Sequence, residues 1–204
     1  MQFTRPDMRE ITISDKSEAC DFIKDSCKEC NRKYECTGEN AAFCNHMKNI
    51  LVAKYGAAEG CLKESRIRHS IGVANFLFAY AKSHDWSKEE TEDLYLTGLL
   101  HDIGYIDNPK GTDHGRLGAE ILKRNGLNAE ICELISCHGR FIENPSRKQA
   151  LLWLADLCVN RDGDYIGYQK RYESIKERYK NDPERLFQVY RIFEYLQIHF
   201  SEYR

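Results

Sequence analysis

The sequence predicts an all-α protein. Glycine and proline are sparse, with 13 and 4 among 204 residues. Apolar residues recur at three- and four-residue intervals along most of the chain, whereas the alternating patterns that are typical of strands are few. Because 42% of the residues are hydrophobic, the chain can bury a substantial core. We therefore expect a helical bundle.

Charge and hydropathy exclude several classes of protein. The 30 basic and 32 acidic side chains give a formal charge of -2, so no overall positive field attracts nucleic acid or an anionic membrane. No apolar run approaches the roughly 18 residues of a membrane span, and Met1–Asp7 lacks the pattern of a secretory signal. We expect a cytoplasmic protein that does not enter the membrane.

The first predicted helix runs from about Leu62 to Lys82 and carries His69. Its apolar face is indicated by residues that recur at helical spacing. These residues are Ile67, Ile71, Ala74, Phe78 and Ala81.

The second predicted helix carries a His-Asp doublet in an apolar run. Ser87 and Glu90 form a capping box at its start, and we expect it to end at Gly104. Burying His101 and Asp102 without partners would be costly. A divalent metal removes that cost, because imidazole and carboxylate are both good ligands.

Three further helices each carry a histidine or an aspartate. One is predicted from about His114 to Arg124, after a turn-rich loop. The next is capped by Asn128 and has His138 on its apolar face. The third is opened by a capping box at Ser146 and Gln149, and its apolar run 150–157 contains a single acid, Asp156. Two final helices, about Tyr165–Lys180 and Asp182–Phe200, are expected to cover the core.

Together these helices can bring metal ligands into the core of a bundle. A lone histidine on an apolar face is more simply a hydrogen-bonded core residue, but an ordered set of six predicts a site. Neighbours on one helix point about 100° apart, so the doublet can ligate only near a helix end or by addressing two ions. The candidate ligands are His69, His101, Asp102, His114, His138 and Asp156.

At three places the chain resembles the HD superfamily of metal-dependent phosphohydrolases. The matching segments are Arg66–Ser70, Leu99–Gly104 and Leu154–Asp156. The resemblance implies an all-α HD-domain bundle with a metal site in its core. It assigns the core ligands to His69, His101, Asp102 and Asp156.

His114 and His138 resemble the additional histidines of branches that hold two metals, in which Asp102 would bridge the ions. One such branch is the symmetrical diadenosine tetraphosphate hydrolases. The chain departs from it at Tyr105, where that branch usually has lysine. The departure leaves the substrate undecided.

The resemblance implies hydrolysis of a nucleotide or another small phosphoester or phosphoanhydride. Two divalent ions about 3.5 to 4 Å apart can share a hydroxide and neutralise charge on a phosphoryl oxygen. Iron, manganese, zinc and cobalt are the candidate metals, and a homodimer is left open. Two alternatives remain: a mixed-valence di-iron oxygenase of the same superfamily, and a non-catalytic regulatory module.

A phosphorylated substrate needs cations beside the metals. Arg66 lies three residues before His69, on a similar helix face, and we expect it to act with Asp102 in catalysis. For each such cation taken singly, solvated surface charge is the simpler interpretation. The candidate substrate-binding residues are Arg66, Lys110, Arg140 and Arg161.

The first 50 residues differ in composition from residues 51–204, which we assign to the HD domain and its covering helices. Five of the nine cysteines fall between Cys20 and Cys44. Four of them could hold zinc or an iron-sulfur cluster, and the alternatives are reduced thiols or a partly disulfide-linked module. This candidate set is Cys27, Cys30, Cys36 and Cys44.

Overall fold

A computed structural model describes residues 64–106, 111, 113–124 and 126–204. Within these ranges the secondary structure is helical, apart from one isolated bridge between Val159 and Tyr165. This confirms the predicted all-α class. The cysteine set of the first 50 residues and the candidate cation Lys110 lie outside the described ranges, and so does the predicted domain boundary.

Seven α-helices follow one another in the described part of the chain. They are α1 (Glu64–Ser83), α2 (Lys88–Leu100), α3 (His114–Arg124), α4 (Ala129–Cys137), α5 (Arg147–Cys158), α6 (Tyr168–Arg178) and α7 (Pro183–His199). Short 3-10 helices lie at Ile103–Ile106 and Ser201–Tyr203.

The helix starts follow from local capping. Ser87 and Glu90 form the complete predicted capping box. Asn128 accepts from the backbone N–H of Glu130, which confirms it as a cap. Asp182 accepts from the backbone N–H of Arg185, and Pro183 follows it in the first turn of α7.

The predicted capping box of α5 forms only in part. Ser146 accepts from the backbone N–H of Gln149, but the Gln149 side chain does not return to Ser146. Its amide is buried and, in the orientation that satisfies both groups, bonds to the Leu134 carbonyl and the Trp153 indole N–H. Tertiary bonds thus replace the reciprocal bond of the box.

Helix α5 lies at the centre of the bundle. It packs on α1, α2, α4, α6 and α7, and residues 151–155 along it are almost completely buried. The core has two parts. One is formed chiefly by α1 to α4, and the other by α1 and α5 to α7. The predicted role of the last two helices as a cover for the core agrees with this arrangement.

In the described residues, no helix combines the length and the apolar character that crossing a membrane requires.

Candidate metal and substrate site

The six predicted ligands come together in the bundle. His69 lies within α1, and Asp156 lies in the last turn of α5. The others stand at helix ends: His114 is the first residue of α3, and His138 directly follows α4. Helix termini from different parts of the chain therefore meet the second turn of α1 at one place.

Helix α2 ends at Leu100, four residues before the predicted end at Gly104. His101 is its C-cap, and Nδ1 of that ring lies 2.7 Å from the Gly98 carbonyl. The chain then tightens into a 3-10 helix, with the Tyr105 N–H donating to the Asp102 carbonyl. The doublet consequently lies at a helix end, where His101 and Asp102 can face one centre.

Hydrogen bonds define the tautomer of all four histidines. In each ring Nδ1 faces a backbone carbonyl, which can only accept, so Nδ1 carries the proton. In the neutral ring Nε2 then presents a lone pair, as a metal-binding histidine does. The pairs are His69 with Asn160 at 3.0 Å, His101 with Gly98 at 2.7 Å, His114 with Gly111 at 2.9 Å and His138 with Ile135 at 2.6 Å.

These lone pairs face other electron-rich atoms. Nε2 of His114 lies 2.9 Å from Nε2 of His138, and Nε2 of His69 lies 2.9 Å from Oδ1 of Asp156. Nε2 of His101 is fully buried without a hydrogen-bond partner. Two acceptors at such distances repel unless a proton or a metal ion lies with them. The donor set therefore fits a cation site.

Asp102 belongs to two groups of ligand atoms. Its carboxylate lies with His69 and His101, and also with His114 and His138. Within each group the candidate ligand atoms are no more than 4.8 Å apart. Oδ1 of Asp102 lies 3.4 to 3.7 Å from Nε2 of three histidines. Asp102 therefore lies between two groups of candidate ligand atoms.

Arg66 holds the other oxygen of Asp102. Its Nη1 donates to Oδ2 at 2.9 Å. Burial alone raises the pKa of the Asp102 carboxyl, but the neighbouring rings of His101, His114 and His138 and the charge of Arg66 outweigh that effect. The pKa of Asp102 therefore lies well below its usual range, and the carboxylate is charged.

The titration of two histidines is altered in opposite directions. Burial lowers the pKa of His101 from 6.5 to about 4, although Asp102 and Asp156 draw it upward. For His138, burial acts downward, but the nearby charge of Asp102 dominates and raises the pKa. A neutral His101 beside two carboxylates is available as a ligand at physiological pH.

Close backbone approach brings α3 into the site. A Cβ on Gly104 would lie 1.8 Å from the His114 carbonyl oxygen, and one on Gly115 would lie 2.9 Å from the Ile135 carbonyl oxygen. Only glycine allows these contacts. The two glycines thereby let His114 approach both the doublet and His138.

Tyr105, the position that departs from the resembled branch, is packed between two site residues. Its ring stacks on His114 with centroids 4.2 Å apart. The Arg66 guanidinium packs on the same Tyr105 ring, with Cζ 3.9 Å from the ring centroid. Burial raises the pKa of its hydroxyl, so the side chain is neutral. Where the branch has lysine, this chain has an uncharged aromatic residue.

A cavity of about 350 Å³ opens beside the ligand cluster. Asp102, His114, His138 and Asp156 line one side of it. The volume suits a small molecule.

The predicted cations are distributed unevenly around this cavity. Arg66 and Arg140 line it, whereas Arg161 lies outside the lining residues. Arg161 is exposed, but it is close enough to Arg66 and Arg178 that their charges lower its pKa together with partial burial. It therefore stands at the margin of the site.

Several lining residues were missed by the sequence analysis. Arg171 and Arg178 on α6, Tyr179 after it, and Arg185 on α7 all face the cavity. A signal for Arg171 exists in the sequence: it shares a helix face with Tyr168 and Ile175, at three- and four-residue spacing. A charged residue on an apolar stripe marks a position whose burial needs an explanation.

Comparison with known proteins gives a family and a few distant relatives. The sequence model of the HD domain matches residues 66–185. Ribonuclease Y of Mycoplasma mycoides is 34% identical over 113 residues, which are 54% of this chain and 20% of that protein. Ribonuclease Y of Fervidobacterium nodosum is 35% identical over 92 residues, which are 41% and 18%.

An uncharacterized protein of Methanocaldococcus jannaschii is 31% identical over 77 residues, covering 37% of this chain and 45% of that protein. The chain thus spans about a fifth of the length of these ribonucleases and less than half of the archaeal protein. No solved structure matches the chain.

Proposed function

The chain belongs to the HD-domain family, and we propose that it is a metal-dependent phosphohydrolase acting on a nucleotide or another small phosphoester or phosphoanhydride. The observation that carries this proposal is the juxtaposition of two ligand triads sharing Asp102 with a cavity lined by arginines. Metal ligands beside cations are what hydrolysis of a phosphate compound requires.

The residues that would hold the metal are the six convergent side chains. Bound divalent ions supply Lewis acidity and activate water. In this chain the histidines present Nε2 because backbone carbonyls engage every Nδ1. Asp102 enters both triads as a carboxylate, and Arg66 restricts its rotation through the bond to Oδ2.

The cavity favours phosphate chemistry over oxygen activation. Six arginines line it: Arg66, Arg116, Arg140, Arg171, Arg178 and Arg185. Arg66 is paired with Asp102, and Arg116 is paired with Asp113 and Glu120. A non-ionic substrate would leave the charge of the other four without a counter-charge among the described residues, whereas phosphate groups match guanidinium geometry.

The bond that is cleaved, the size of the substrate and the metal can be proposed more narrowly. The ribonuclease relatives support cleavage of a phosphodiester bond, and the two additional histidines support the resemblance to symmetrical diadenosine tetraphosphate hydrolases. The cavity of about 350 Å³ favours a small phosphorylated compound over a long polymer. Iron, manganese, zinc and cobalt remain the candidate metals, because imidazole and carboxylate accept all of them.

Purified full-length chain, loaded in turn with manganese, iron, cobalt or zinc, tests the proposal. We expect phosphate or nucleotide release from a panel of phosphomonoesters, phosphodiesters and phosphoanhydrides. A chelator should stop the release, and readdition of metal should restore it. Asp102→Ala should lower the rate by at least about a thousandfold, because metal-based stabilisation of transition-state charge is worth several kcal/mol.

Asp85→Asn is the control, since Asp85 lies in the α1–α2 connection, outside the residues that line the cavity. Activity that survives both chelation and Asp102→Ala would refute the metal-dependent mechanism. Oxygen uptake by the iron-loaded chain, without release from any substrate of the panel, would support the oxygenase alternative instead.

A further inference from the structure

Arg171 is a buried cation without a bonded partner. The residue is 4% exposed, and Nε of its guanidinium has no hydrogen-bond partner. Within the described ranges, no hydrogen bond or ion pair joins the Arg171 side chain to another residue; its backbone N–H donates to the Gly167 carbonyl. Arg66, which also lines the cavity, is bonded to Asp102. The two arginines therefore have different roles.

The fold holds Arg171 in this position. Tyr168 and Ile175 lie on the same face of α6, and both are buried in the core. Because these neighbours are packed in the core, Arg171 is buried along with them, and its side chain lines the cavity. A buried guanidinium without a bonded counter-charge is unfavourable. The favourable partner is an anion that enters the cavity.

Arg178 follows seven residues later, two helical turns along the same face of α6. It also lines the cavity, and it is less buried than Arg171. Within the described residues its recorded contact is the Tyr179 ring, whose centroid is 5.7 Å from its guanidinium carbon. No described carboxylate pairs with it.

The charges around Arg171 are mixed. Asp156 and Asp102 favour its charged form, whereas burial, Arg178 and Arg66 disfavour it and lower its pKa. Asp156, Arg171 and Arg178 all line the cavity, so the two guanidiniums share one space with a residue of the ligand cluster. Like charges that share one cavity repel each other. An anion between them would relieve this repulsion.

We propose that Arg171 and Arg178 form an anion subsite for a diphosphate group, in which Arg171 binds the phosphate beside Asp156 and Arg178 binds the next phosphate. The inference deepens the proposed function and rests on it: the substrate class becomes compounds with two linked phosphates. Arginine suits this task because its planar fork can donate two parallel bonds to one phosphate.

Binding without turnover tests the subsite separately from hydrolysis. The full chain is freed of metal on a chelating resin, because a soluble chelator is itself an anion. Calorimetric titrations with inorganic pyrophosphate and with orthophosphate then compare the wild type with Arg171→Met and Arg178→Met. Lys170→Met is the matched control, since Lys170 is exposed, adjacent on α6 and absent from the cavity lining.

We expect Arg171→Met to weaken the binding of both anions by about tenfold or more, because a hydrogen bond to a charged group is lost. Arg178→Met should weaken pyrophosphate binding by a similar factor and change orthophosphate binding by less than about twofold. The melting temperature of the anion-free protein should not fall in Arg171→Met, since the substitution removes an unpaired buried charge. A structural arginine would lower it.

Unchanged pyrophosphate affinity in both variants would overturn the subsite. The subsite would also be overturned if Arg171→Met melted at a lower temperature than the wild type and bound both anions as tightly as the wild type. If Arg171→Met does not fold, Arg171→Gln gives the same comparison with a smaller change in polarity. Arginine-dependent binding without any metal-dependent hydrolysis would refute the proposed function alone. Hydrolysis with an unaltered KM in both arginine variants would refute the subsite alone.

Discussion

Two groups of residues at the cavity differ in the kind of charge that would complete them. We call the candidate metal ligands around Asp102 the histidine wall, and Arg171 and Arg178 of α6 the arginine wall. On the histidine wall, every Nδ1 is bonded to a carbonyl and Asp102 is bonded to Arg66, and the acceptor atoms Nε2 of His114 and Nε2 of His138 lie 2.9 Å apart. On the arginine wall, Arg171 and Arg178 have no described carboxylate partner. One wall needs cations and the other needs anions. A metal-bound phosphate compound would satisfy both.

The histidine wall depends on backbone contact, and Gly104→Ala should disturb it most. The added Cβ would lie 1.8 Å from the His114 carbonyl oxygen and 2.6 Å from the Gly118 nitrogen, so α3 must move. We expect the free energy of unfolding to fall by about 3 kcal/mol, the upper range for an overpacked core. Urea unfolding measures this loss, and phosphohydrolase activity should fall with it.

Gly139→Ala is the control, because a Cβ there meets only the His114 ring, at 3.9 Å. Its unfolding free energy should stay within about 0.5 kcal/mol of the wild type. Equal stability of the two variants would show that the tight α3 contact does not hold the histidine wall together.

Acid should weaken the histidine wall of the metal-free protein through His101. Its pKa is lowered to about 4 by burial, whereas an unfolded histidine titrates near 6.5. Between these values the unfolded chain binds more protons, so the free energy of unfolding falls as the pH falls. We expect a loss of about 2 kcal/mol between roughly pH 7 and pH 4.5, relative to His101→Asn.

Urea unfolding of the two proteins, followed by tryptophan fluorescence, measures this difference. His138, whose pKa is raised, contributes in the opposite direction; because its ring lies 5.1 Å from that of His101, the same pair of curves is also recorded in a His138→Asn background. Asp102 and Asp156, whose pKa values are lowered, lose their contribution only at more acid pH. Parallel pH curves would show that His101 is not buried in its neutral form.

The histidine wall could be predicted from the sequence because local signals stand beside its ligands. A capping box opens α2, Asn128 opens α4, and an apolar run surrounds Asp156. The end of α2 was wrong by four residues. There Nδ1 of His101 donates to the Gly98 carbonyl and competes with the backbone N–H groups of the helix for it. That bond depends on the buried position of the ring.

The arginine wall carries a weaker local signal, which is the position of Arg171 on the face of Tyr168 and Ile175. Arg171 stands among Lys170, Lys176 and Arg178, a composition that is typical of a solvated helix face. Its burial depends on the packing of Tyr168 and Phe193, whose rings lie 5.7 Å apart across α6 and α7. Contacts of this kind between distant segments set where α6 lies, and a local pattern does not contain them.

Arg66→Lys tests whether the two walls use arginine differently. Arg66 donates to Asp102 and also packs on the Tyr105 ring, a double contact that the lysine ammonium cannot reproduce. We expect kcat to fall by about tenfold with little change in KM, as when a bond that orients a metal ligand is lost. Steady-state kinetics of metal-loaded protein separate the two constants.

Arg171→Lys is the comparison from the other wall, and there KM should rise because a substrate contact is weakened. A rise in KM for Arg66→Lys with unchanged kcat would instead make Arg66 a substrate-binding residue. The two walls would then share one role.

Arg140 should show the smallest effect, because it is exposed at the cavity edge. A charge in that position attracts an anionic substrate through solvent and is screened by salt. We expect Arg140→Met to lower kcat/KM by about threefold at low salt. The difference should vanish at about 1 M salt, where the Debye length is about 3 Å.

The effect of Arg171→Met should persist in the same salt series, since a buried contact is screened far less. A salt-independent loss in Arg140→Met would mean that Arg140 closes onto bound substrate, and that the arginine wall extends from α6 to the loop after α4.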